Sequence, residues 1–193
     1  MHSTLLNFFI YIISSLFLNE IDLKNQPNII YYISDDKDQI DHNIYGNNLV
    51  PSDPINRLAS EGMKFNNAYT SQAICAPSRS QIFTGLYPVK NGCYANHLPV
   101  KKDIIDINDY LQSVGYEVVL AGKSHVNPSS VFNWSHYFKN EGKLLPMDKI
   151  KDYIKNAKKP FCMFITSDYP HGPFPINTQF SDEDIYENPY SNK

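Results

Sequence analysis

The 193-residue chain is predicted to be an α/β protein with a largely parallel sheet. Two observations support this. Short apolar runs rich in β-branched and aromatic residues alternate with amphipathic helical segments, and polar or charged residues directly follow these runs. In an open parallel sheet, functional residues gather where the carboxyl ends of the strands meet. The sequence therefore predicts both the fold class and the edge of the sheet at which a site would lie.

Three runs predict the strands: residues 28–33 (NIIYYI), 116–121 (YEVVLA) and 161–166 (FCMFIT). After Asn28 the first run is continuously apolar, which is typical of a parallel strand buried on both faces. It ends abruptly in the acidic pair Asp35 and Asp36. We therefore expect two carboxylates at the C-terminal end of a buried strand.

Four segments predict helices: residues 53–62, 78–84, 107–114 and 147–157. The first has Asp53 as a candidate N-cap, proline at the first helical position and a closing glycine. The second is preceded by Pro77 and closed by a glycine. Cys75 would then lie immediately upstream of a helix N-terminus, where exposed N–H groups favour an anion.

The N-terminal run LLNFFIYIISSLFL, residues 5–18, has the length of a signal-peptide core. It is shorter than the ~20 residues that span a membrane. Residues 1–20 are therefore predicted to be a signal peptide that directs the chain into the secretory pathway, for secretion or for the lysosome. No Lys or Arg precedes the run, so an uncleaved anchor or a buried hydrophobic segment stays open.

Charge and cysteine content limit the function classes. The net charge is −3 and no run of Lys and Arg occurs, so nucleic-acid binding is excluded. Three cysteines, Cys75, Cys93 and Cys162, leave one unpaired in an oxidising compartment. Cys93 and Cys162 could pair, although a buried thiol is the usual state of a cysteine in an apolar strand. Asn133-Trp134-Ser135 is a glycosylation acceptor if the chain is secreted.

Four segments carry chemistry-bearing residues, and each also has an ordinary structural explanation. Adjacent aspartates can hold a hard divalent cation through oxygen, or they can be solvated turn residues. Cysteine near a helix start and an arginine can be reactive, or it can be a buried thiol. Alternation along an extended turn would place a lysine and a histidine on one side. The four segments are Asp35-Asp36, Cys75 to Arg79, Gly122-Lys123-Ser124-His125 and Pro170-His171-Gly172-Pro173.

In their order, DD, CxPSR…TG, GKxH and PHxP, these segments resemble the N-terminal part of a type I, formylglycine-dependent sulfatase of the alkaline phosphatase-like superfamily. The resemblance covers about residues 27–175. The stretches AYTSQAICAPSRSQIFTGLYPVKNGCY and GYEVVLAGKSHVNP are most similar to the heparan N-sulfatase (sulfamidase) branch. The resemblance implies a mostly parallel sheet flanked by helices, truncated before the C-terminal part. Residues 27–180 would be the N-terminal part of the catalytic domain, and residues 181–193 a loose polar tail.

The resemblance also implies roles for individual residues. Asp35, Asp36 and Cys75 would bind a divalent metal, Ca²⁺. Cys75, converted to Cα-formylglycine by a formylglycine-generating enzyme, would be the nucleophile. Further catalytic and substrate-binding roles would fall to Arg79, which would hold the formylglycine hydrate, and to Lys123, His125 and His171, which would contact sulfate and assist proton transfer. His97 is expected to be a loop histidine, with a substrate contact as the alternative.

The implied function is hydrolysis of sulfate esters or N-sulfates, on a sulfated small molecule or a glycan such as a glycosaminoglycan. One alternative is a phosphomonoester or phosphonate hydrolase of the same superfamily. Another is a truncated, catalytically inactive protein, because the family's downstream Asp-Asn pair and further lysine have no counterpart before Lys193. Self-association into a homo-oligomer is left open.

Overall fold

The computed structural model describes residues 26–47 and 53–173. Within these ranges, the chain forms a four-stranded sheet in the order β1-β4-β2-β3, and every pair of neighbours is parallel. The predicted α/β class with a mostly parallel sheet is therefore confirmed. The strands are β1 Ile29–Asp35, β2 Glu117–Gly122, β3 His136–Phe138 and β4 Phe161–Pro170.

Helices lie in the connections from β1 to β2 and from β3 to β4, whereas residues 123–135 join β2 to β3 without a helix. Short 3₁₀ turns occupy Gln39–Asp41 and Asn43–Tyr45. The α-helices are α1 Asp53–Glu61, α2 Cys75–Thr84, α3 Pro88–Asn91, α4 Ile107–Ser113 and α5 Met147–Asn156.

The core lies on both faces of the two central strands. On one face of β2, Val118 and Leu120 pack in a cluster with Phe83 of α2. On the other face, Val119 packs in a cluster with Ile150 of α5. Because successive side chains of a strand point to opposite faces, the continuous apolar run of β2 is explained by helices on both sides.

β1 is a strand as predicted, but the prediction that it is buried is wrong. Among the described strands it pairs only with β4, so it lies at an edge of the sheet. Ile30 is 54% exposed and Tyr32 is 61% exposed. Apolar sequence marks a strand that can be buried, but burial also requires neighbours on both sides.

Several boundaries differ from the prediction. α2 begins at Cys75, three residues before the predicted start, and its first backbone hydrogen bond joins Ser78 N to Ile74 O at 2.9 Å. Pro77 is accommodated because the first turn of a helix leaves its N–H groups without intrahelical acceptors. β3 and α3 were not predicted, since both are shorter than the windows in which a period can be recognised. β4 continues to Pro170 rather than ending at Thr166.

The predicted signal peptide at residues 1–20 and the polar tail at residues 181–193 lie outside the described residues. Within the described part, no helix is long and apolar enough to cross a membrane. Cys93 and Cys162 are buried free thiols, so the structure supports the buried-thiol alternative over a disulfide. Burial raises the pKa of the Cys162 thiol to about 11.

Candidate active site

The ends of β1 and β2 are joined by a buried ion pair across β4. Asp35, the last residue of β1, accepts hydrogen bonds from Lys123 Nζ and, at 3.4 Å, from Arg79 Nη2. Arg79 Nη1 donates to the backbone oxygen of Lys123 at 2.8 Å. Burial alone would raise the pKa of Asp35, but Lys123 and Arg79 outweigh it and lower that pKa. The carboxylate is therefore held ionised at the sheet edge.

A tight backbone crossing fixes the position of Lys123. Gly122 has φ +108°, and a Cβ at this position would lie 2.0 Å from Thr166 O. Lys123 N donates to Thr166 O at 3.0 Å, and Thr166 Oγ1 donates to Lys123 O at 2.8 Å. Only glycine permits this approach of β2 to β4, and the approach places the lysine beside Asp35.

Cys75 is half-buried at the N-terminus of α2 and lies where two cavities meet. The neighbouring Ala76 N donates to Asn96 Oδ1 at 3.1 Å. One cavity, of about 400 Å³, contains Asp35 and Asp36. The other, of about 610 Å³, has one acidic lining residue, Asp168, and five basic ones: His97, Lys123, His125, Lys139 and His171.

Local electrostatics bear on whether the side chain of Cys75 is a reactive thiolate or a protonated thiol. Burial raises the pKa of the Cys75 thiol, and the negative charge of Asp35 raises it further, against the smaller opposing effect of Lys123. Arg79, expected beside the reactive group, directs its guanidinium at Asp35 and the Lys123 carbonyl. The unmodified side chain is therefore kept as a thiol, and the surroundings disfavour a thiolate nucleophile.

Three candidate metal-binding groups come together at this point. The ligand atoms of Asp35, Cys75 and His171 all lie within 4.8 Å of one another. Asp36, the third predicted ligand, is adjacent: its Oδ2 lies 3.7 Å from His171 Nε2, and its side chain is 60% exposed. The two carboxylates fit part of the oxygen shell that a hard divalent cation prefers, whereas the thiol of Cys75 does not.

His125 forms a pair with His97 at the wall of the larger cavity. Its Nε2 lies 3.0 Å from His97 Nδ1. Both residues have positive φ, +54° at His125 and +67° at His97. Burial lowers the pKa of His125, and the positive charge of Lys123 lowers it further. The imidazole is therefore neutral near pH 7 and able to accept a proton.

The turn that carries His171 is held by a residue that the sequence did not indicate. Lys143 Nζ donates to the backbone oxygens of His171 at 2.8 Å and of Pro173 at 2.9 Å. Asp168, on the last part of β4, lies 3.8 Å from Lys123 Nζ and accepts a hydrogen bond from the Asn140 amide. Asp168 could have been found from its place after a predicted strand, whereas Lys143 carries no sequence signal.

The structure thus brings the predicted site residues to one edge of the sheet. Asp35, Arg79 and Lys123 are in direct contact. Cys75, His125 and His171 line the larger cavity, and Asp36 lines the smaller one.

Comparison with known proteins identifies the family of this chain. The model of the sulfatase family matches residues 27–192. The chain belongs to the sulfatase family. The expected resemblance is thereby confirmed.

Curated relatives of this sulfatase chain include sulfatases whose names contain a polysaccharide or a sugar. It is 51% identical over 158 residues to the ulvan-active sulfatase of Formosa agariphila, a match covering 79% of this chain and 32% of the relative. It is 30% identical over 172 residues to the N-acetylglucosamine-6-O-sulfatase of Bacteroides thetaiotaomicron, covering 76% and 31%. The N-sulphoglucosamine sulphohydrolase of Homo sapiens is also a relative, 25% identical over 146 residues and covering 66% and 28%. The chain spans about a third of the length of these relatives.

Solved structures show the same fold. BT4656, in complex with its substrate D-glucosamine-2-N,6-O-disulfate, superimposes with a TM-score of 0.68 at 27% identity, over 76% of this chain and 35% of that one. The phosphonate monoester hydrolase of Agrobacterium radiobacter superimposes with a TM-score of 0.66 over 77% and 42%. At 15% identity, the second likeness concerns the fold alone.

Proposed function

We propose that this sulfatase-family site hydrolyses sulfate esters or N-sulfates of sugars, with Cys75 converted to Cα-formylglycine and with a bound divalent cation, Ca²⁺. The observation that carries the proposal is the position of Cys75. It lies between the carboxylates of one cavity and the cation-lined wall of another. Transfer of a sulfuryl group is favoured by an ionised oxygen nucleophile and by positive charge around the sulfuryl oxygens, and a cation held by the carboxylates would supply part of that charge.

Asp35, Asp36 and position 75 would hold the cation, which supplies positive charge that favours an ionised oxygen nucleophile and stabilises the sulfuryl oxygens. The ion pair of Asp35 with Lys123 and Arg79 keeps this carboxylate ionised and fixed. The side chain of Asp36 is 60% exposed, and its Oδ2 lies 3.7 Å from Nε2 of His171.

The oxygen chemistry follows from a hydrated aldehyde at position 75. One hydroxyl would lose its proton to a neighbouring base and form the new O–S bond as the bond from sulfur to the sugar oxygen or nitrogen breaks, and the leaving atom would take up a proton. Loss of a proton from the second hydroxyl would then break the bond between the residue-75 carbon and the sulfate oxygen, release sulfate and restore the aldehyde, which water would hydrate again. A thiol or a serine hydroxyl has no second hydroxyl, so it cannot release sulfate in this way.

Lys123, His125 and His171 would neutralise the sulfuryl oxygens and move the protons. All three line the cavity that contains Cys75. The neutral His125 is suited to accept a proton, whereas Lys123 is a fixed positive charge with a side chain only 17% exposed. Arg79 would act indirectly, since its contacts are with Asp35 and the Lys123 carbonyl.

The proposed substrate class is a sulfated saccharide. Relatives are named for ulvan and for N-acetylglucosamine 6-sulfate. The structure of BT4656 contains a glucosamine carrying both N- and O-sulfate. The wide, polar cavity beside Cys75 is consistent with a sugar-sized anion. The proposal also includes entry into the secretory pathway through residues 1–20 and conversion of Cys75 by a formylglycine-generating enzyme.

The test is sulfate release by the chain co-expressed with a formylglycine-generating enzyme, with Ca²⁺ present. The substrates are 4-nitrophenyl sulfate and D-glucosamine-2-N,6-O-disulfate. Conversion is checked first, because the peptide containing residue 75 should be about 18 Da lighter than its unmodified form. We expect Cys75→Ala to abolish turnover.

The matched control is Cys162→Ala, which removes a buried thiol of β4 outside both cavities. It should keep the rate per folded molecule. A converted protein that releases no sulfate at any Ca²⁺ concentration would contradict the proposal and favour the truncated, catalytically inactive alternative. Faster turnover of 4-nitrophenyl phosphate than of the sulfate would favour the phosphoester alternative.

A further inference from the structure

We propose that His97 is a positioning residue that holds the imidazole of His125 in the active-site cavity. This inference rests on the proposed function, in which His125 takes part in proton transfer. The two ring nitrogens, His125 Nε2 and His97 Nδ1, lie 3.0 Å apart, and the ring centroids are 4.9 Å apart. Both side chains line the cavity that contains Cys75.

The surroundings assign the tautomer of His125. In a neutral pair, one of the two facing nitrogens donates and the other accepts. The second ring nitrogen of His125, Nδ1, is buried and has no hydrogen-bond partner among the described residues. A proton there would be an orphaned buried N–H, which folded proteins avoid. The proton of His125 therefore lies on Nε2 and is donated to His97 Nδ1.

The backbone around His97 joins the nucleophile to the loop that follows β2. On one side, Asn96 Oδ1 accepts a hydrogen bond from the N–H of Ala76, the residue after Cys75, at 3.1 Å. On the other side, Val100 N donates to Asn127 O at 2.8 Å. The segment 96–100 is thus held at both ends, and His97 lies between these two attachments along the chain.

The backbone conformation of the two histidines is a second, independent observation that supports the positioning role of His97. His97 and His125 both have φ in the left-handed region, +67° and +54°. For residues other than glycine, such a conformation persists only where surrounding structure enforces it, and it is common at active sites. Here it occurs on both partners of a single hydrogen bond.

The test compares two substitutions that suit a left-handed backbone. His97→Asn tolerates positive φ and keeps a side-chain hydrogen-bonding atom near the place of Nδ1. His97→Gly accepts the backbone equally well but removes that atom. The control is His136→Asn on β3, where Nε2 lies 3.7 Å from Glu117, away from the cavity.

We expect His97→Gly to lower kcat for 4-nitrophenyl sulfate about tenfold or more, since a well-placed base contributes about 10²–10⁴-fold and loss of its support forfeits part of that. KM should stay within about twofold, because His97 acts on proton transfer through His125 rather than by holding the substrate. His97→Asn should recover most of the lost rate, and His136→Asn should match the unsubstituted protein.

A second readout does not depend on turnover. Nitrogen-15 NMR of the histidine rings should show His125 protonated at Nε2 in the unsubstituted protein and in His97→Asn, and a mixture of tautomers in His97→Gly. An unchanged kcat and tautomer in His97→Gly, or equal losses in the asparagine and glycine variants, would overturn the proposal. If the unsubstituted protein releases no sulfate, the proposed function fails, and the NMR comparison alone decides the role of His97.

Discussion

β1 and β2 have similar apolar sequences and each leads into the site, yet their surroundings differ sharply. Leu120 in the middle of β2 is completely buried, whereas Tyr32 in β1 is 61% exposed. Within β1, burial increases only toward the end, and Asp35 is 5% exposed. β2 is therefore held mainly by core packing on both faces, and β1 mainly by its ladder with β4 and by the ion pair at its end.

The largest expected loss of unfolding free energy is for a substitution where β2 crosses close to β4. Gly122→Ala would place a Cβ 2.0 Å from Thr166 O at a residue with φ +108°. We expect this change to lower the free energy of unfolding by more than about 3 kcal/mol, measured by urea denaturation. Gly46→Ala is the matched control, because Gly46 has φ +106° but no atom within 4 Å of the added carbon. It should cost only the backbone strain, about 1–2 kcal/mol. Equal losses would show that the crossing is not tight.

Truncation of one side chain in each strand tests the contrast directly. Leu120→Ala removes a buried side chain between packed helices and should cost about 2–5 kcal/mol. Ile30→Ala, at a side chain that is 54% exposed, should cost less than about 1 kcal/mol. Both values come from urea denaturation under identical conditions. An equally large loss at Ile30 would show that β1 is covered in solution.

The neighbouring carboxylates at the end of β1 allow a finer comparison. Asp35→Asn leaves Lys123 and Arg79 without their buried anion and should cost about 1–3 kcal/mol of unfolding free energy. Asp36→Asn should change stability by no more than about 0.5 kcal/mol, because that side chain is 60% exposed. Thermal unfolding of the two variants measures the difference. Similar losses from both would mean that the ion pair does not hold β1.

The smallest expected effect is on how the stability contributed by the ion pair of Asp35 with Lys123 and Arg79 depends on pH. Because the pKa of Asp35 is lowered in the folded protein from 3.8, its stabilisation is fully present above that value and is lost as pH falls through the folded pKa. The gap in stability between the unsubstituted protein and Asp35→Asn should therefore close only below pH 3.8. Urea denaturation at several acidic pH values measures the gap. A gap that closes above that pH would contradict the lowered pKa.

The sequence by itself determined the fold class, three of the four described strands and the order of the functional segments. Residue type and period are local properties, so the apolar run of β2, the glycine that closes α2 and the acidic pair after β1 could all be recognised without a structure. The same local reasoning placed Asp35, Lys123 and His171 at one sheet edge, because parallel strands share the direction of their carboxyl ends.

Only the tertiary structure determined which of these residues are buried and which partners they contact. It made Asp35 a buried partner of two cations and left Asp36 exposed, although the two are adjacent in sequence. It brought His97 to His125 across 28 residues and Lys143 to the His171 turn across 28 residues. The physical reason is that burial and hydrogen-bond partners are set by which elements pack together in space. The sequence of a strand determines which of its side chains are apolar, and the elements packed against the strand determine which of them are buried.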